Sequence, residues 1–298
     1  MSVAALINSL EIETRYLPIA EGSTGVEALA NPSEKEVLAF LSERPIHTVA
    51  LVGTIRDNGL VSPLNRGTFY GYRNRRGQLE GVALIGHATL METRTDRALE
   101  ALAGVAQKCT TAHLIMGEDE RIDEFWTYYS GGGQEMRRAC RELLVELRWP
   151  VQVREEVPEL RLATLADLDL ILPVHARMAF DESGIDPLQK DSLGFRKRCV
   201  RRIEQGRTWV WIQDGKLMFK AELVSDTPAV IYLEGVWVSP EERHQGYGLR
   251  CMSQLGRILL PRTQSICLLV NVKNEKAHRF YQKAGYRARG IYDTIFLK

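Results

Sequence analysis

The sequence predicts an α/β protein of the α+β type, in which helices flank a mixed central sheet. The first observation is a change of period: a β-type apolar run over 229–238 is followed, across a glycine-bearing loop, by apolar residues at helical spacing. The second is order: strand, hairpin, helix, strand and helix follow one another in each half of the chain. At 298 residues the chain is long enough for two domains of common size.

The composition is that of an ordinary globular protein, with 45% apolar and 26% charged residues. A net charge of +1 gives no overall field that would favour nucleic acid or an anionic membrane as a partner. No apolar stretch approaches the ~20 residues that cross a bilayer, and Glu11 and Glu13 follow an N-terminus unlike a signal peptide. We therefore expect a cytoplasmic protein.

The five cysteines are scattered through the chain, at positions 109, 140, 199, 251 and 267. Their spacing matches neither a disulfide framework nor a zinc motif, and the six histidines also lack metal-ligand spacing. We therefore expect reduced thiols in the core and no metal site.

We predict one domain over 1–150, a proline-bearing linker over 151–159 and a second domain over 160–298. Residues 1 to about 42 look helical in places. The further elements of the first half are a capped helix at Ser33–Leu41, a strand at His47–Val52, a hairpin of Phe69–Arg73 with Leu79–His87, a helix at Thr95–Val105, an extended segment at His113–Met116, a helix at Ile122–Tyr129 and a charged helix at Arg137–Arg148. This order matches the second half, so either the chain is internally duplicated or the first half is an unrelated α/β domain.

In the second half, a short strand at Leu160–Thr164 leads into a helix with Thr164 as its cap, which Phe180–Gly184 interrupts. The next helix contains five basic residues: Arg196, Lys197, Arg198, Arg201 and Arg202. Such a cluster fits a solvated helix face, or a site for an acidic partner. A second hairpin follows at Asp214-Gly215.

The glycine-bearing loop reads Arg243-x-x-Gly246-x-Gly248 and comes between a strand and a helix. A helix N-terminus offers unpaired N–H groups and the positive end of the helix dipole to an anion, and glycine lets the anion approach the backbone. The pattern is neither a P-loop nor the dinucleotide-binding Gly-x-Gly-x-x-Gly. Taken alone, it is also compatible with a plain turn.

A second block follows that loop. Leu268–Asn271 reads as a buried strand, and Asn274 is a cap candidate for a helix that ends at Gly285. One stripe of this helix is formed by Ala277, Phe280, Tyr281 and Ala284.

Together the two blocks resemble the GNAT superfamily of N-acetyltransferases. The Arg243–Gly248 loop is similar to its pyrophosphate-binding motif A, and Asn274–Tyr286, with its Tyr-x-Lys-x-Gly-Tyr ending, is similar to motif B. The resemblance covers about 160–298. It implies acetyl-CoA or another acyl-CoA as cofactor and a primary amine, on a small molecule or a protein, as acceptor. The amine would attack directly in a ternary complex.

The resemblance also implies roles for individual residues. Glu234, in an apolar strand, is the candidate general base, and we expect burial to raise its pKa; its alternative is an edge-strand residue that pairs with an arginine. We expect it on the same side of the strand as Val236 and Val238. Tyr281 is the candidate acid for the departing thiolate, and its alternative is core packing beside Phe280.

The candidate cofactor contacts fall in three groups: residues 236–238 of the strand, residues 243–249 of the loop, and Asn271 with Asn274 in the second block. Val236 and Val238 would bond the pantetheine arm through their backbones, with the Val236 N–H as an oxyanion donor. The complete set of candidates is Val236, Trp237, Val238, Arg243, His244, Gln245, Gly246, Tyr247, Gly248, Leu249, Asn271 and Asn274. The basic helix of the second half is a candidate for binding the 3′-phosphate, but a solvated helix face explains its charges better. Cys251 is better explained as a core thiol, and His244 as a solvent-facing contact.

Two alternative functions remain open. The chain could bind acyl-CoA without catalysis and act as a regulator, or it could use both halves to transfer an aminoacyl or longer acyl group. The first half has no glycine in Glu92–Arg97, where the counterpart of motif A would lie. We therefore expect no acyl-CoA chemistry there, and a structural or interaction role instead. The acceptor site of the second half is expected near Phe180 and Glu182.

Overall fold

The computed structural model describes residues 25–150 and 155–298. Residues 1–24, part of the segment predicted to be helical in places, lie outside the described residues, as do 151–154 of the predicted linker. The described chain divides into two compact units. We call residues 25–142 with 291–298 the N-terminal unit, and the described residues within 143–290 the C-terminal unit.

The described N-terminal half has the element order β-α-α-β-β-β-α-β-α-β, apart from short 3-10 turns. Its elements are β1 (Val26–Ala28), α1 (Glu34–Ser42), α2 (Pro45–Asn58), β2 (Gly67–Arg73), β3 (Leu79–Gly86), β4 (Ala88–Thr93), α3 (Asp96–Ala106), β5 (Leu114–Glu118), α4 (Asp119–Tyr129) and β6 (Met136–Leu147).

The same order repeats in the second half. Its elements are β7 (Arg161–Leu162), α5 (Leu168–Ser183), α6 (Pro187–Glu204), β8 (Thr208–Gln213), β9 (Lys216–Asp226), β10 (Val230–Val238), α7 (Tyr247–Leu259), β11 (Ser265–Asn271), α8 (Glu275–Lys283) and β12 (Arg287–Leu297). Both predicted hairpins are present. The predicted cap at Thr164 is also present: Thr164 and Asp167 form a capping box on the 3-10 turn Leu165–Asp167, which leads into α5.

Each unit is built on a mixed sheet. In the N-terminal unit the strand order is β1-β2-β3-β4-β5-β12-β6, with residues 291–297 supplying β12. In the C-terminal unit the order is β6-β11-β10-β9-β8-β7, with residues 143–147 supplying β6. The pairs β4–β5 and β10–β11 are parallel, while the hairpins on their other side are antiparallel.

The duplication extends to the register of the strands. The parallel pairing between β4 and β5 ends at Leu90, and that between β10 and β11 ends at Tyr232. In each case a buried glutamate follows two residues later, Glu92 in the first half and Glu234 in the second. The two halves therefore place the same residue type at the same point of the same fold.

Two predictions for the first half are wrong. His47–Val52 is not a strand but part of α2, which begins at Pro45; a short apolar run does not distinguish a strand from a buried helix. Arg137–Arg148 is not a helix, because β6 occupies Met136–Leu147. There tertiary pairing overrides helix propensity: Arg141 donates to both carboxylate oxygens of Asp293 on β12, at 2.9 and 2.7 Å.

We predict that removing residues 291–298 unfolds the N-terminal unit. These residues form a strand between β5 and β6, and their backbone pairs with β5 from Tyr292 to Phe296. Without it, β5 becomes an exposed edge and its core cluster loses Ile295 and Leu297. Hydrogen exchange should show the amides of Leu114–Glu118 losing protection, whereas deletion of Lys298 alone should leave them protected. Unchanged protection after the longer deletion would contradict the sheet order.

Candidate functional site

The sheet of the C-terminal unit has a different core on each face. One face packs against α7 and α8 in a large cluster that includes Leu233, Leu255 and Tyr281. The other packs against α5 and α6 in a smaller cluster that includes Ile171 and Phe195. A residue of β10 therefore belongs to one of two environments, according to the face it occupies.

The opening between β10 and β11 is the centre of the candidate site. The strands pair only over Val230–Tyr232, so the following residues of β10 have no parallel neighbour in the described part of β11. Glu234 lies just beyond this point and is 6% exposed. On the antiparallel side it pairs with Glu222 of β9, so the two carboxylates occupy the same face.

A β-bulge interrupts β10 immediately after Glu234. Glu234 pairs with Glu222, and Trp237 pairs with Lys220. Two residues of β10, Gly235 and Val236, therefore lie opposite a single residue of β9, Ala221, in the described ladder. Gly235 has φ +59°, which favours glycine.

The bulge changes which residues share a face. Val236 and Val238 pack with Leu233 on the α7/α8 side, whereas Trp237 packs on the α5/α6 side. The prediction that Glu234 shares a face with Val236 and Val238 is therefore wrong, because the extra residue shifts the two-residue alternation.

A buried charged network adjoins the bulge and was not predicted from the sequence. Lys220 is 0% exposed and Glu222 is 4% exposed. Glu222 Oε1 lies 3.0 Å from Lys220 Nζ and 2.8 Å from His175 Nδ1. The available signal was the pattern Phe219-Lys220-Ala221-Glu222-Leu223, in which charge alternates with apolar residues in a strand that must be covered on both faces.

The glycine-bearing loop leads into α7 as predicted. Gly246 is the N-cap of the helix at φ +83°, and it has no side chain to occupy the first N–H groups. The first turn, Tyr247–Arg250, contains no acidic residue. A Cβ added to Gly246 would meet no atom within 4 Å in the described chain. The helix N-terminus is therefore open to an anion.

Gly248 has a different role from Gly246. A Cβ at Gly248 would lie 3.0 Å from Val238 Cγ2 and 3.2 Å from Phe280 Cε2. Gly248 is thus required where α7 packs between β10 and α8, and it is buried.

The other loop residues divide into exposed and packed ones. Arg243, His244 and Gln245 are exposed; Arg243 donates from Nε to the Val238 carbonyl at 3.2 Å, and Gln245 bonds Glu242 at 3.0 Å. His244 has φ +67°, an uncommon conformation for a residue with a Cβ. Tyr247 and Leu249 pack against the α7/α8 core.

The second block forms β11 and α8. The predicted cap is confirmed, because Asn274 Oδ1 accepts from the Ala277 N–H at 3.0 Å. Asn271 ends β11, and its Oδ1 accepts from the Lys273 N–H at 2.9 Å. Tyr281 is 9% exposed and lies within the α7/α8 core, with its ring centroid 5.0 Å from that of Phe280. Burial raises the pKa of Tyr281, so its phenol remains protonated and able to donate at neutral pH.

Other candidates of the second half also have defined environments. Cys251 is fully buried, and burial raises its pKa to about 12, so it is an inert thiol. The basic cluster on α6 is only partly a solvated face: Arg196 and Lys197 are exposed, whereas Arg202 donates to the Leu223 carbonyl at 3.1 Å. Phe180, near the expected acceptor site, is 42% exposed at the end of α5.

The equivalent region of the N-terminal unit is filled by ion pairs. Glu92 accepts from both Arg44 and Arg94, and Arg44 also bonds Glu118 of β5 at 2.7 Å. The side chains of Arg44, Glu92 and Glu118 line a cleft at β4 and β5. The α3 N-terminus is capped by Thr95 and carries Asp96 in its first turn. This unit therefore lacks the open, non-acidic helix N-terminus found at α7.

Residues 175–286 match the model of the Acetyltransferase (GNAT) family. The matched range contains the open α7 N-terminus, the β10–β11 opening and α8. We call this matched region the GNAT domain. Acyl-CoA-dependent acyl transfer is the activity that a match to this family implies. No curated protein has a sequence that matches this chain significantly.

Solved structures share the fold over almost the whole chain. A GNAT-family acetyltransferase from Colwellia psychrerythraea has a TM-score of 0.57 at 12% identity and covers 92% of this chain and 99% of its own. A Drosophila melanogaster protein has a TM-score of 0.66 at 13% identity, over 92% and 98%. A tandem GNAT protein from the clavulanic acid biosynthesis pathway has a TM-score of 0.57 at 12% identity, over 91% and 98%. These likenesses show the fold alone, and they confirm two GNAT-like domains in tandem.

The described residues also bear on other classes of site. Within 25–150 and 155–298, no helix is both long and apolar enough to cross a membrane. Over the same ranges, no group of three or more His, Cys, Asp or Glu side chains could hold a metal ion.

We predict that Gly248→Ala lowers the free energy of unfolding of the GNAT domain by about 1–3 kcal/mol, because the new methyl group overpacks the contact with Val238 and Phe280. Gly104→Ala is the control: Gly104 lies in α3, and its Cβ would meet no atom within 4 Å in the described chain. That change should stabilise by about 0.5–1 kcal/mol. Urea denaturation measures both, and equal effects at the two positions would contradict the packing role.

Proposed function

We propose that the GNAT domain is an N-acetyltransferase that moves acetyl from acetyl-CoA, or another acyl group from its CoA thioester, to a primary amine on a small molecule or a protein. The amine attacks directly while both substrates are bound. The observation that carries this proposal is the open, glycine-capped N-terminus of α7 beside the β10–β11 opening, with a buried glutamate at its edge.

The described residues fit an acyl-CoA. Backbone N–H groups from His244 to Leu249 would hold the pyrophosphate, with Arg243 exposed beside them. The backbone of Val236–Val238, which has no parallel partner in the described part of β11, would bond the pantetheine arm. Asn271 at the end of β11 and Asn274 at the start of α8 would contact the cofactor arm. The thioester would supply the activated acyl group.

Glu234 and Tyr281 are assigned the proton transfers. An alkylammonium has a pKa of ~10.4, so a base must take its proton near neutral pH. Glu234, buried at the edge of the opening, would receive it directly or through water. Tyr281 would donate to the departing thiolate, and its raised pKa keeps the proton available until that step. The Val236 N–H would stabilise charge on the thioester oxygen.

For the N-terminal unit we propose a role without acyl-CoA chemistry. Its equivalent glutamate, Glu92, is engaged by two arginines, and the α3 N-terminus is already capped. The unit therefore lacks, at the equivalent position, the open anion site that the GNAT domain has at the α7 N-terminus. Its role would be structural or in interactions.

We predict that Gly246→Asp raises the Kd for acetyl-CoA at least tenfold in calorimetric titration. The carboxylate would occupy the α7 N-terminus and repel the pyrophosphate. Gly215→Asp is the matched control, because Gly215 also has a positive φ, +72°, and open space around its Cβ in the described chain, but lies in the β8–β9 turn. Both changes should cost similar stability.

The binding experiment also decides between functions. Loss of affinity in Gly246→Asp alone supports a pyrophosphate site at the α7 N-terminus. Equal binding by both variants would refute it. If the parent protein bound neither acetyl-CoA, nor CoA, nor longer acyl-CoAs, the proposed function would be wrong.

We predict that Glu234→Gln lowers kcat/KM for the amine by roughly 10²–10⁴-fold at pH 7, because it removes the proton acceptor.

Tyr281→Phe should lower kcat while the Kd for acetyl-CoA stays within about twofold. Its control is Tyr286→Phe: the rings lie 5.5 Å apart, and the Tyr286 hydroxyl is buried without a hydrogen-bond partner in the described chain. Full turnover in either Glu234→Gln or Tyr281→Phe would overturn that residue's assignment.

A further inference from the structure

The buried network of Lys220, Glu222 and His175 takes no part in the proton transfers assigned above. A fully buried ammonium is costly unless charged and polar partners replace its water. Lys220 has two such partners: Glu222 Oε1 at 3.0 Å and the Gly235 carbonyl oxygen at 3.2 Å. The second partner is a backbone group of the bulge in β10.

The remaining members of the network keep Lys220 paired. Burial would raise the pKa of Glu222, but the hydrogen bond from His175 and the positive charge of Lys220 outweigh burial and hold that pKa well below its usual range. Burial lowers the pKa of His175 even though Glu222 opposes this shift. The ring is therefore neutral at pH 7 and donates from Nδ1 to the Glu222 carboxylate, which stays ionised opposite the lysine.

The geometry of the peptide bond connects Lys220 to the opening. The Gly235 carbonyl and the Val236 N–H belong to one peptide unit, which is planar and trans, so they point in opposite directions. Gly235 and Val236 have no partners in the described β9–β10 ladder, so that ladder does not fix this plane. A hydrogen bond that holds the carbonyl towards Lys220 therefore turns the N–H away from Lys220.

The same contact affects the strength of the donor. An ammonium on the carbonyl oxygen polarises the amide, and hydrogen bonds in such chains strengthen one another by about 10–30% per bond. A Cβ at Gly235 would lie 2.8 Å from Lys220 Nζ, so glycine is needed for the contact as well as for its positive φ. The contact therefore depends on Lys220, on Gly235 and on the bulge together.

We propose that Lys220 is a positioning residue for acyl transfer: by holding the Gly235 carbonyl, it aims the Val236 N–H at the oxygen of the bound thioester. This inference rests on the proposed function. Glu222 and His175 support the lysine and do not touch the substrates. No bond to Lys220 forms or breaks during the reaction, and no proton moves to or from it.

The test is the carbonyl stretching frequency of acetyl-CoA labelled with ¹³C at the thioester carbon, measured by difference infrared spectroscopy. In the parent protein the frequency should fall on binding, because a donor polarises the carbonyl. In Lys220→Met most of this shift should be lost and kcat should fall roughly 10–100-fold, less than or comparable to deleting an oxyanion donor. The Kd for acetyl-CoA should change by less than about threefold.

Lys216→Met is the matched control, because Lys216 is an exposed lysine on the same strand, β9. It should leave the infrared shift and kcat as in the parent. A merely structural role for Lys220 would reduce stability but leave the shift intact in the folded, acetyl-CoA-bound fraction, and that result would overturn the inference. If Lys220→Met does not fold, Glu222→Gln replaces it and should show a partial loss of the shift.

A failure of the proposed function can be distinguished from a failure of this inference. If the parent binds no acyl-CoA, the proposed function fails first. Hydrogen exchange over 233–239 then tests the bulge directly: exchange should be faster in Lys220→Met than in Lys216→Met. Equal exchange in these two variants would overturn the positioning role of Lys220.

Discussion

The site depends on the short length over which β10 pairs with β11. Parallel pairing stops at Tyr232, and the later residues of β10 have no parallel partner in the described part of β11. A buried backbone group without a partner is unfavourable, so such an edge persists only where another group meets it. The pantetheine arm, in the proposed function, is that group. The glycine-capped helix and the buried glutamate are useful because this edge is open between them.

The two faces of the sheet provide different interactions around that edge. On the α7/α8 side the packing is apolar, and Gly248 allows close contact between α7, β10 and α8. On the α5/α6 side the same strands carry Lys220, Glu222 and Glu234, all nearly inaccessible. Rigid apolar packing thus fixes the position of the backbone, while buried charge acts on the bulge. The single extra residue of β10 is what allows one strand to serve both faces.

The sequence predicted best where local signals were strong. The change of period around Gly246 and the cap at Asn274 gave α7 and α8 correctly, because glycine and cap chemistry act within a few residues. It failed where distant partners decide: β6 is a strand because β12 lies beside it, and His47–Val52 is helical within a longer, buried helix. The network of Lys220, Glu222 and His175 was missed for the same reason, since His175 and Glu222 meet only after folding. The bulge, a single-residue insertion, had no signal beyond Gly235.

The last strand of the chain, β12, belongs to the sheet of the N-terminal unit, and this has a consequence for synthesis. Ile115 of β5 pairs with Ile295, so the sheet of the N-terminal unit gains its sixth strand from residues made long after the fifth. Domains emerging from the ribosome generally fold in sequence, first the N-terminal one. Here the first unit must wait, with β5 unpaired on one side, until the GNAT domain has been translated. Pairing of such high sequence separation is slow, and an unpaired strand is prone to aggregate in the interval. During synthesis, β5 is therefore open to aggregation for longer than it would be if its partner strand followed directly in the chain.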